Sequence, residues 1–195
     1  MNTFNGNSSQ NIPLSGGGEA TSPMAKLYLH VLNRLKEKVP ELRFIDQDLG
    51  QLEHYELRPP VDYPFCLIDL EQFQYTDIGG NCAQEAVGMV NLRIGLVKYT
   101  ESNNLVPDNI RPNALRYYEV EQKVHEALQG WEGNGFSRLL RRSTATEMRN
   151  DDIRVREIKY AVSFQDNTAA ATAKRATVKT PRPVINPISG TGTCL

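Results

Sequence analysis

The sequence predicts an α+β protein: a mixed or antiparallel β-sheet of about five strands packed by two helices, with extended N- and C-terminal arms. Three observations predict this class. Two segments repeat apolar residues at helical spacing. Five others are short and rich in aliphatic and aromatic residues, with turn residues between them. In chain order, a helix and three strands precede a second helix and two further strands.

The first helix is predicted at residues 24–39, "MAKLYLHVLNRLKEKV". Ser22 can cap its start, Pro23 suits the first helical position, and Pro40 ends it. Leucine, valine and tyrosine recur every three or four residues, so one face of this helix is apolar.

Two strands are predicted after the first helix. The segment "LRFID" (42–46) alternates weakly between apolar and polar residues, which indicates a short strand. The segment "YPFCLIDL" (63–70) is nearly all apolar and contains aromatic and branched residues, so it is predicted to be a buried strand. Glycines at 79–80 then mark a turn.

A long third strand is predicted at 85–100, "EAVGMVNLRIGLVKYT". Its residues alternate, with Leu92 and Ile94 on an apolar face and Asn91 and Arg93 on the other face. Such a pattern is typical of a strand with one face on a core and one polar face.

The second helix is predicted within 114–133, where Gly130 or Gly133 can end it. It carries the clearest helical periodicity of the chain. Its apolar stripe consists of Tyr117, Val120, Val124, Ala127, Leu128 and Trp131.

Two further strands are predicted at 137–149 and 153–164, joined by a turn at 150–152. The apolar phase of the second one changes at Arg156-Glu157, which indicates a β-bulge. No periodicity continues beyond Phe164.

The predicted core lies between the second helix and the strands. Its members are expected to be Val124, Leu128, Trp131, Leu92, Ile94, Val162 and Phe164. Because only two helices cover five strands, one face of the sheet is expected to be partly bare and to need a partner.

The chain divides into a flexible Asn-, Ser- and Gly-rich arm (1–22), an α+β domain (23–167) and a Pro-rich arm (168–195). The last arm carries four basic residues and no acidic ones, which leaves 18 basic against 23 acidic residues in the remainder. It is therefore predicted to dock on an acidic surface of a neighbouring copy, although a solvated tail is the alternative. The expected docking residues are Val178, Pro181, Arg182, Pro183, Val184, Ile185 and Ile188.

No catalytic, metal or cofactor site is predicted, so the protein is not expected to be an enzyme. Its three histidines are far apart, and Cys66, Cys82 and Cys194 form no C-x-x-C pair, which fits a reducing compartment. No apolar run reaches the roughly 20 residues of a membrane helix. The N-terminus lacks the features of a secretory signal, so synthesis in the cytosol is expected, with no membrane partner.

Four arginines of the last two predicted strands form a basic hairpin, which could contact nucleic acid phosphates. The alternative is cross-strand pairing with Glu147 and Glu157 on a solvated face. The acidic charge of the rest of the domain favours that alternative, and no specific nucleic acid is expected as a partner. The four are Arg141, Arg142, Arg154 and Arg156, and the same hairpin also carries Arg138, Arg149 and Lys159.

Five segments share their order and pattern with one family. They are "LYLHVLNRLKEKVPEL", "YPFCLIDL", "VNLRIGLVKYT", "EVEQKVHEALQGW" and the strand ending "YAVSFQDN". Over residues 24–167 the chain resembles the tail terminator proteins of long-tailed phages, the ring proteins that cap the head-proximal end of the tail tube. The long arms depart from the compact members of that family.

The resemblance implies a virion protein of the tail or neck, assembled in the host cytoplasm as a hexameric ring. Its implied partners are other copies of itself, the tail-tube protein and the neck or head-completion proteins. Other neck, tail-tube or baseplate proteins are alternatives within the same class. A nucleic-acid-binding module or a small enzyme would belong to a different class, and the sequence favours both less.

Overall fold

One five-stranded sheet forms the centre of the computed structural model, which describes residues 21–53, 61–79, 82–97, 102–149 and 152–172. The strands are Phe44–Gln47 (β1), Phe65–Ile78 (β2), Ala83–Val97 (β3), Leu140–Glu147 (β4) and Ile153–Asp166 (β5). The helices are Pro23–Lys38 (α1), Arg111–Ala114 (α2), Arg116–Leu128 (α3) and Thr168–Thr172 (α4).

The strand order is β1-β2-β3-β5-β4. β1 runs parallel to β2, and every other neighbouring pair is antiparallel. The predicted α+β class with a mixed sheet of five strands is therefore confirmed. Besides the two long helices that were expected, the described residues contain two helices of about one turn, α2 and α4.

The main core lies between one face of the sheet and the two long helices. From α1 it receives Leu27, Val31 and Leu35, all fully buried. From α3 and the strands it receives six of the residues expected there, which are Leu92, Ile94, Val124, Leu128, Val162 and Phe164.

Trp131 lies outside the helical stripe to which it was assigned. α3 ends at Leu128, and Gly130, one of the two glycines expected to end it, turns the chain with a positive φ of 73°. Trp131 therefore reaches the core from the following loop, where it is partly buried and stacks on the ring of His30 at 3.7 Å between ring centroids. The assignment of Trp131 to the helical stripe is wrong, because Gly130 in the left-handed region ends the helix before this residue.

The predicted β-bulge at Arg156-Glu157 is also wrong, because β5 pairs with β3 without a break from Ile153 to Asp166. The change of apolar phase has another cause. Val155 faces a second, smaller core on the opposite side of the sheet, whereas Ile158, Tyr160, Val162 and Phe164 face the helices. The second core consists of Leu52, Phe65, Leu67, Ile153 and Val155.

Register irregularities occur elsewhere in the sheet. One lies between Glu71 and Gln74 of β2, where Gln72 has a φ of 52°, and the other between Arg141 and Ser143 of β4. The bulge in β2 divides a buried first half from an exposed second half. That exposed half is polar, which is why the predicted strand ended too early, at residue 70.

At the C-terminal end, residues 168–172 are helical where an extended arm was expected from 168 onward. Both arms otherwise lie outside the described residues. None of the described helices has the length and apolarity needed to cross a membrane.

Candidate assembly surfaces

A network of charges crosses the sheet face that the helices leave uncovered. Arg93 in β3 donates to Glu147 in β4, from Nε at 3.0 Å and from Nη2 at 2.9 Å. It also donates to Asp48 at 2.9 Å and to Glu53 at 2.7 Å. Burial alone would lower the pKa of Arg93, but its hydrogen bonds to the three carboxylates outweigh burial and raise that pKa. Arg93 therefore links the segment that follows β1, through Asp48 and Glu53, to the sheet.

A second group continues this network toward the middle of the face. The Asn91 side chain donates to Glu71 and to Glu157, both at 2.9 Å. Lys159 donates to Glu71 at 3.0 Å and pairs with Glu157 at 3.3 Å, and the bond to Glu71 is the main cause that raises the pKa of Lys159. These contacts join β2, β3 and β5, so the charges here hold the sheet together.

The far end of the same face is apolar and open. Leu140 pairs with Ala161 and Ala161 pairs with Met89, so the three side chains lie side by side. Val87 adjoins them on β3 and is 50% exposed, and Leu140 is 38% exposed. These four residues are called the apolar patch below. An exposed apolar cluster of this kind is typical of a protein-contact surface.

Two of the four predicted surface arginines are engaged with α3 on the helix-bearing face. The Arg154 guanidinium lies 3.9 Å from the centroid of the Tyr117 ring. Arg156 donates to both carboxylate oxygens of Glu121, at 2.8 and 3.0 Å, and to Thr146 Oγ1 at 2.7 Å. The bond to Glu121 is the main cause that raises the pKa of Arg156. Neither arginine belongs to a free basic surface.

The other two, Arg141 and Arg142, are exposed on β4. Cross-strand pairing of the arginines with Glu147 and Glu157 was the alternative reading. The two carboxylates do pair with basic residues of the hairpin, Glu147 with Arg149 at 2.7 Å and Glu157 with Lys159 at 3.3 Å, rather than with Arg141 or Arg142. The predicted basic hairpin is thus divided between two places, and only its β4 half remains open.

Both sides of the sheet end in an open strand edge within the described residues. On one side, β5 is the only described strand that pairs with β4, and the edge of β4 is open beyond Arg141, whose N–H donates to Gln129 Oε1 at 3.0 Å. On the other side, β1 pairs only with Phe65 to Ile68 of β2, so β2 has no outer neighbour from Asp69 to Ile78. Open edges of this length invite pairing with another strand.

A cleft of about 330 Å³ lies where the end of β3 meets α3 and the β4–β5 connection. Its walls combine apolar side chains with the charged side chains of Arg116, Glu147, Arg149 and Arg154. The residues lining it include Leu96, Ala114, Tyr117, Met148, Ile153 and Arg154.

Two side chains of types that often carry chemistry, Cys66 and His30, are buried. Burial raises the pKa of the Cys66 thiol to about 12, which makes it inert at neutral pH. Burial, and then the charge of Arg34, lowers the pKa of His30 below its ordinary value. Within the described ranges no group of three or more histidine, cysteine or acidic side chains could hold a metal ion. His54 and Cys194 lie outside those ranges.

The seven residues expected to dock the C-terminal arm also lie outside the described residues, so their docking stays a prediction. They are Val178, Pro181, Arg182, Pro183, Val184, Ile185 and Ile188.

Comparison with solved structures finds a similar fold in a virion. A chain of the virion of a native gene transfer agent (GTA) particle matches with a TM-score of 0.50 and 11% sequence identity, covering 75% of this chain and 100% of that chain. No protein-family model matches the sequence, and no curated protein sequence matches it significantly. The similarity is one of fold, and it extends over the whole of the virion chain.

Proposed function

We propose that this protein is a structural subunit of a phage or phage-like virion. In this proposal it forms a tail-terminator-like ring that caps the tail tube and joins the tail to the neck of the capsid. The observation that carries the proposal is the fold shared with a chain of a gene transfer agent virion, along all of that chain. The finer assignment to the end of the tail rests on the sequence segments that resemble the tail terminator family.

The surfaces of the domain favour assembly over chemistry. The apolar patch and the two open strand edges are features that protein contacts use. The arginines that would bind nucleic acid are partly occupied, because Arg154 lies on Tyr117 and Arg156 is paired with Glu121. We therefore assign no enzymatic step and no specific nucleic acid to this protein.

The proposed partners follow from the proposed place in the particle. They are further copies of the same chain in a hexamer, the tail-tube protein on one side of the ring and neck proteins on the other. Assembly would take place in the host cytoplasm, before the tail joins the capsid.

The experiment is to delete the gene from a strain that produces the particles and to examine the products by electron microscopy. We expect tail tubes of irregular, excess length and capsids without tails, because nothing stops the tube or offers a surface to the neck. Supplying the gene in trans is the control and restores normal particles. Joined tails of normal length in the deletion strain would show that the proposal is wrong, and a complete lack of tubes would favour a tube or baseplate role.

A further inference from the structure

We propose that the outer edge of β4 in one copy pairs with the outer edge of β2 in the next copy, so that the sheet continues from subunit to subunit. This inference rests on the proposed ring. Two different edges meet in such a contact, and a head-to-tail contact of this kind is the one that can close into a ring.

The strand directions fit this contact. β2 and β5 run one way and β3 and β4 the other, because each of the neighbouring pairs among them is antiparallel. A following copy in the same orientation therefore presents its β2 antiparallel to β4. The new pair repeats the pattern of the rest of the sheet, and no strand has to be reversed.

The free lengths of the two edges fit as well, provided that neighbouring copies are shifted along the strands. The registers of the sheet can be followed from β4 through β5 and β3 to β2. On this path Leu140 of β4 lies at the same height as Glu71 of β2, and Glu147 lies at the same height as Phe65. Without a shift, β4 would meet the place that β1 occupies beside Phe65 to Ile68. A shift toward Ile78 brings β4 beside the open half of β2 and leaves β1 undisturbed.

The pleat and the charges select the size of this shift. Opposed residues in a sheet point to the same face, so only a shift by an even number of residues keeps the helices of all copies on one side. A shift of about six residues sets Arg141 opposite Asp77. It also sets Glu147 opposite Glu71, and these two carboxylates are already held within their own subunit by Arg93 and Lys159.

The Arg141 and Asp77 side chains are both exposed, both point to the helix-bearing face, and neither has an ion-pair partner among the described residues. Asp77 accepts a hydrogen bond from Gln84 at 2.9 Å, and the contact requires the Arg141 N–H to exchange its bond to Gln129 for one to β2 of the next copy.

A shift of six residues per subunit also gives the strands a tilt that a closed sheet requires. Six residues correspond to about 20 Å along a strand, and the four strands from β2 to β4 span about 19 Å across the sheet. The strands would then tilt by about 45° from the ring axis, at the upper end of the range of about 35–45° that is usual in β-barrels.

The test is an exchange of charges in the full-length protein. We expect Arg141→Glu and Asp77→Arg each to raise the concentration at which half of the rings dissociate by about tenfold, since each sets two like charges opposite one another. The double variant restores the pair and should return that concentration to near the wild-type value. Lys36→Glu, on the exposed side of α1, is the matched control and should leave it unchanged. Light scattering gives the mass, and circular dichroism verifies that each variant is folded.

A second measurement does not depend on charge. With Cys82 and Cys194 replaced by serine and the buried Cys66 retained, Arg141→Cys combined with Asp77→Cys should oxidise to a ladder of covalent multimers, whereas each single substitution should not. If both charge variants dissociate at the wild-type concentration and the double-cysteine variant gives no ladder, the edge contact is overturned while the ring itself stands. Rings that form but no longer bind tail tubes would assign these edges to the tube protein instead. A wild-type protein that stays monomeric and leaves tube length unaffected would overturn the proposed function as well.

Discussion

Arg93 and Glu147 form a two-pronged ion pair across the sheet, although neither strand is the neighbour of the other. Arg93 lies on β3 and Glu147 on the edge strand β4, with β5 between them. The Nη2 atom of Arg93 is 2.9 Å from both carboxylate oxygens of Glu147, and Nε is 3.0 Å from Oε2. The Arg93 side chain therefore reaches across β5, the strand that lies between β3 and β4.

Replacing Arg93 is therefore expected to destabilise the domain. Arg93→Leu leaves three carboxylates close together without their shared donor, and we expect a loss of about 1–3 kcal/mol in the free energy of unfolding. Urea unfolding measures it. Arg43→Leu is the control, since the Arg43–Asp62 pair is exposed and its atoms are 3.8 Å apart. Equal effects of the two substitutions would show that the network around Arg93 contributes no more than a surface pair.

Leu128→Ala tests the packing of α3 on the sheet. Leu128 is fully buried in the main core, so the substitution should cost about 2–5 kcal/mol and could prevent folding. Leu105→Ala removes the same atoms from a side chain that is 87% exposed and should leave the unfolding midpoint unchanged. Thermal unfolding followed by circular dichroism compares the two. An unaltered midpoint for Leu128→Ala would contradict the position of this helix.

Gly95→Ala tests the close approach within the second core. Phe65 is the cross-strand neighbour of Gly95, and its ring occupies the space that a Cβ atom at Gly95 would need. The added methyl group should cost about 1–3 kcal/mol through overpacking. If Phe65→Ala is made as well, the second substitution should remove that strain, so that the double variant loses less than the two single losses added together. Strict additivity would show that the two sites do not touch.

The stability of the domain is expected to depend on pH through His30. Burial keeps the pKa of this histidine below its ordinary value of 6.5, so the unfolded chain takes up its proton first as the pH falls. The contribution of neutral His30 is complete above about pH 6.5 and is lost as the pH drops toward the lower folded-state pKa. We expect His30→Gln to flatten the change in unfolding free energy between pH 7.5 and 5.5. An equally steep change in this variant would assign it to other groups, with His125→Gln as the next variant to measure because burial also lowers the pKa of His125.

Deleting residues 172–195 tests the C-terminal arm. Among the described residues, the buried members of the main core lie between Leu27 and Phe164, so we expect the shortened protein to fold with an unchanged unfolding midpoint. If the arm docks on a neighbouring subunit, incorporation into particles should fall. Normal incorporation would contradict docking, and a misfolded product would show that the arm completes the domain.

The elements that the sequence predicts well are those whose signal is local. α1 begins at Pro23 and ends before Pro40, and the α3 stripe through Val124 and Leu128 is buried as its spacing indicates. Trp131 follows the same spacing by coincidence, because the backbone at Gly130 has already left the helix. Periodicity alone does not distinguish a buried residue of the helix, such as Leu128, from a residue of the following loop, such as Trp131.

The features that the sequence does not predict depend on distant segments. The phase change in β5 indicates a bulge only if the sheet has a single core, whereas Leu52 and Phe65 supply a second one on the other face. In the same way, the pattern of β3 assigns Arg93 to a polar face but cannot select its partners. Asp48 and Glu147 reach it from other parts of the fold.

The central position of β3 has a consequence for biosynthesis. β3 forms a hairpin with β2 as soon as both have left the ribosome, but its other edge pairs with β5, the last strand of the sheet. That edge stays unpaired while α3 and β4 are translated, and the buried residues of β3 are then open to other nascent chains. Because the pairing of β3 with β5 is long in sequence separation, it is also expected to be the slow step of folding. The yield of folded subunits is therefore expected to depend on the supply of chaperones in the producing cell.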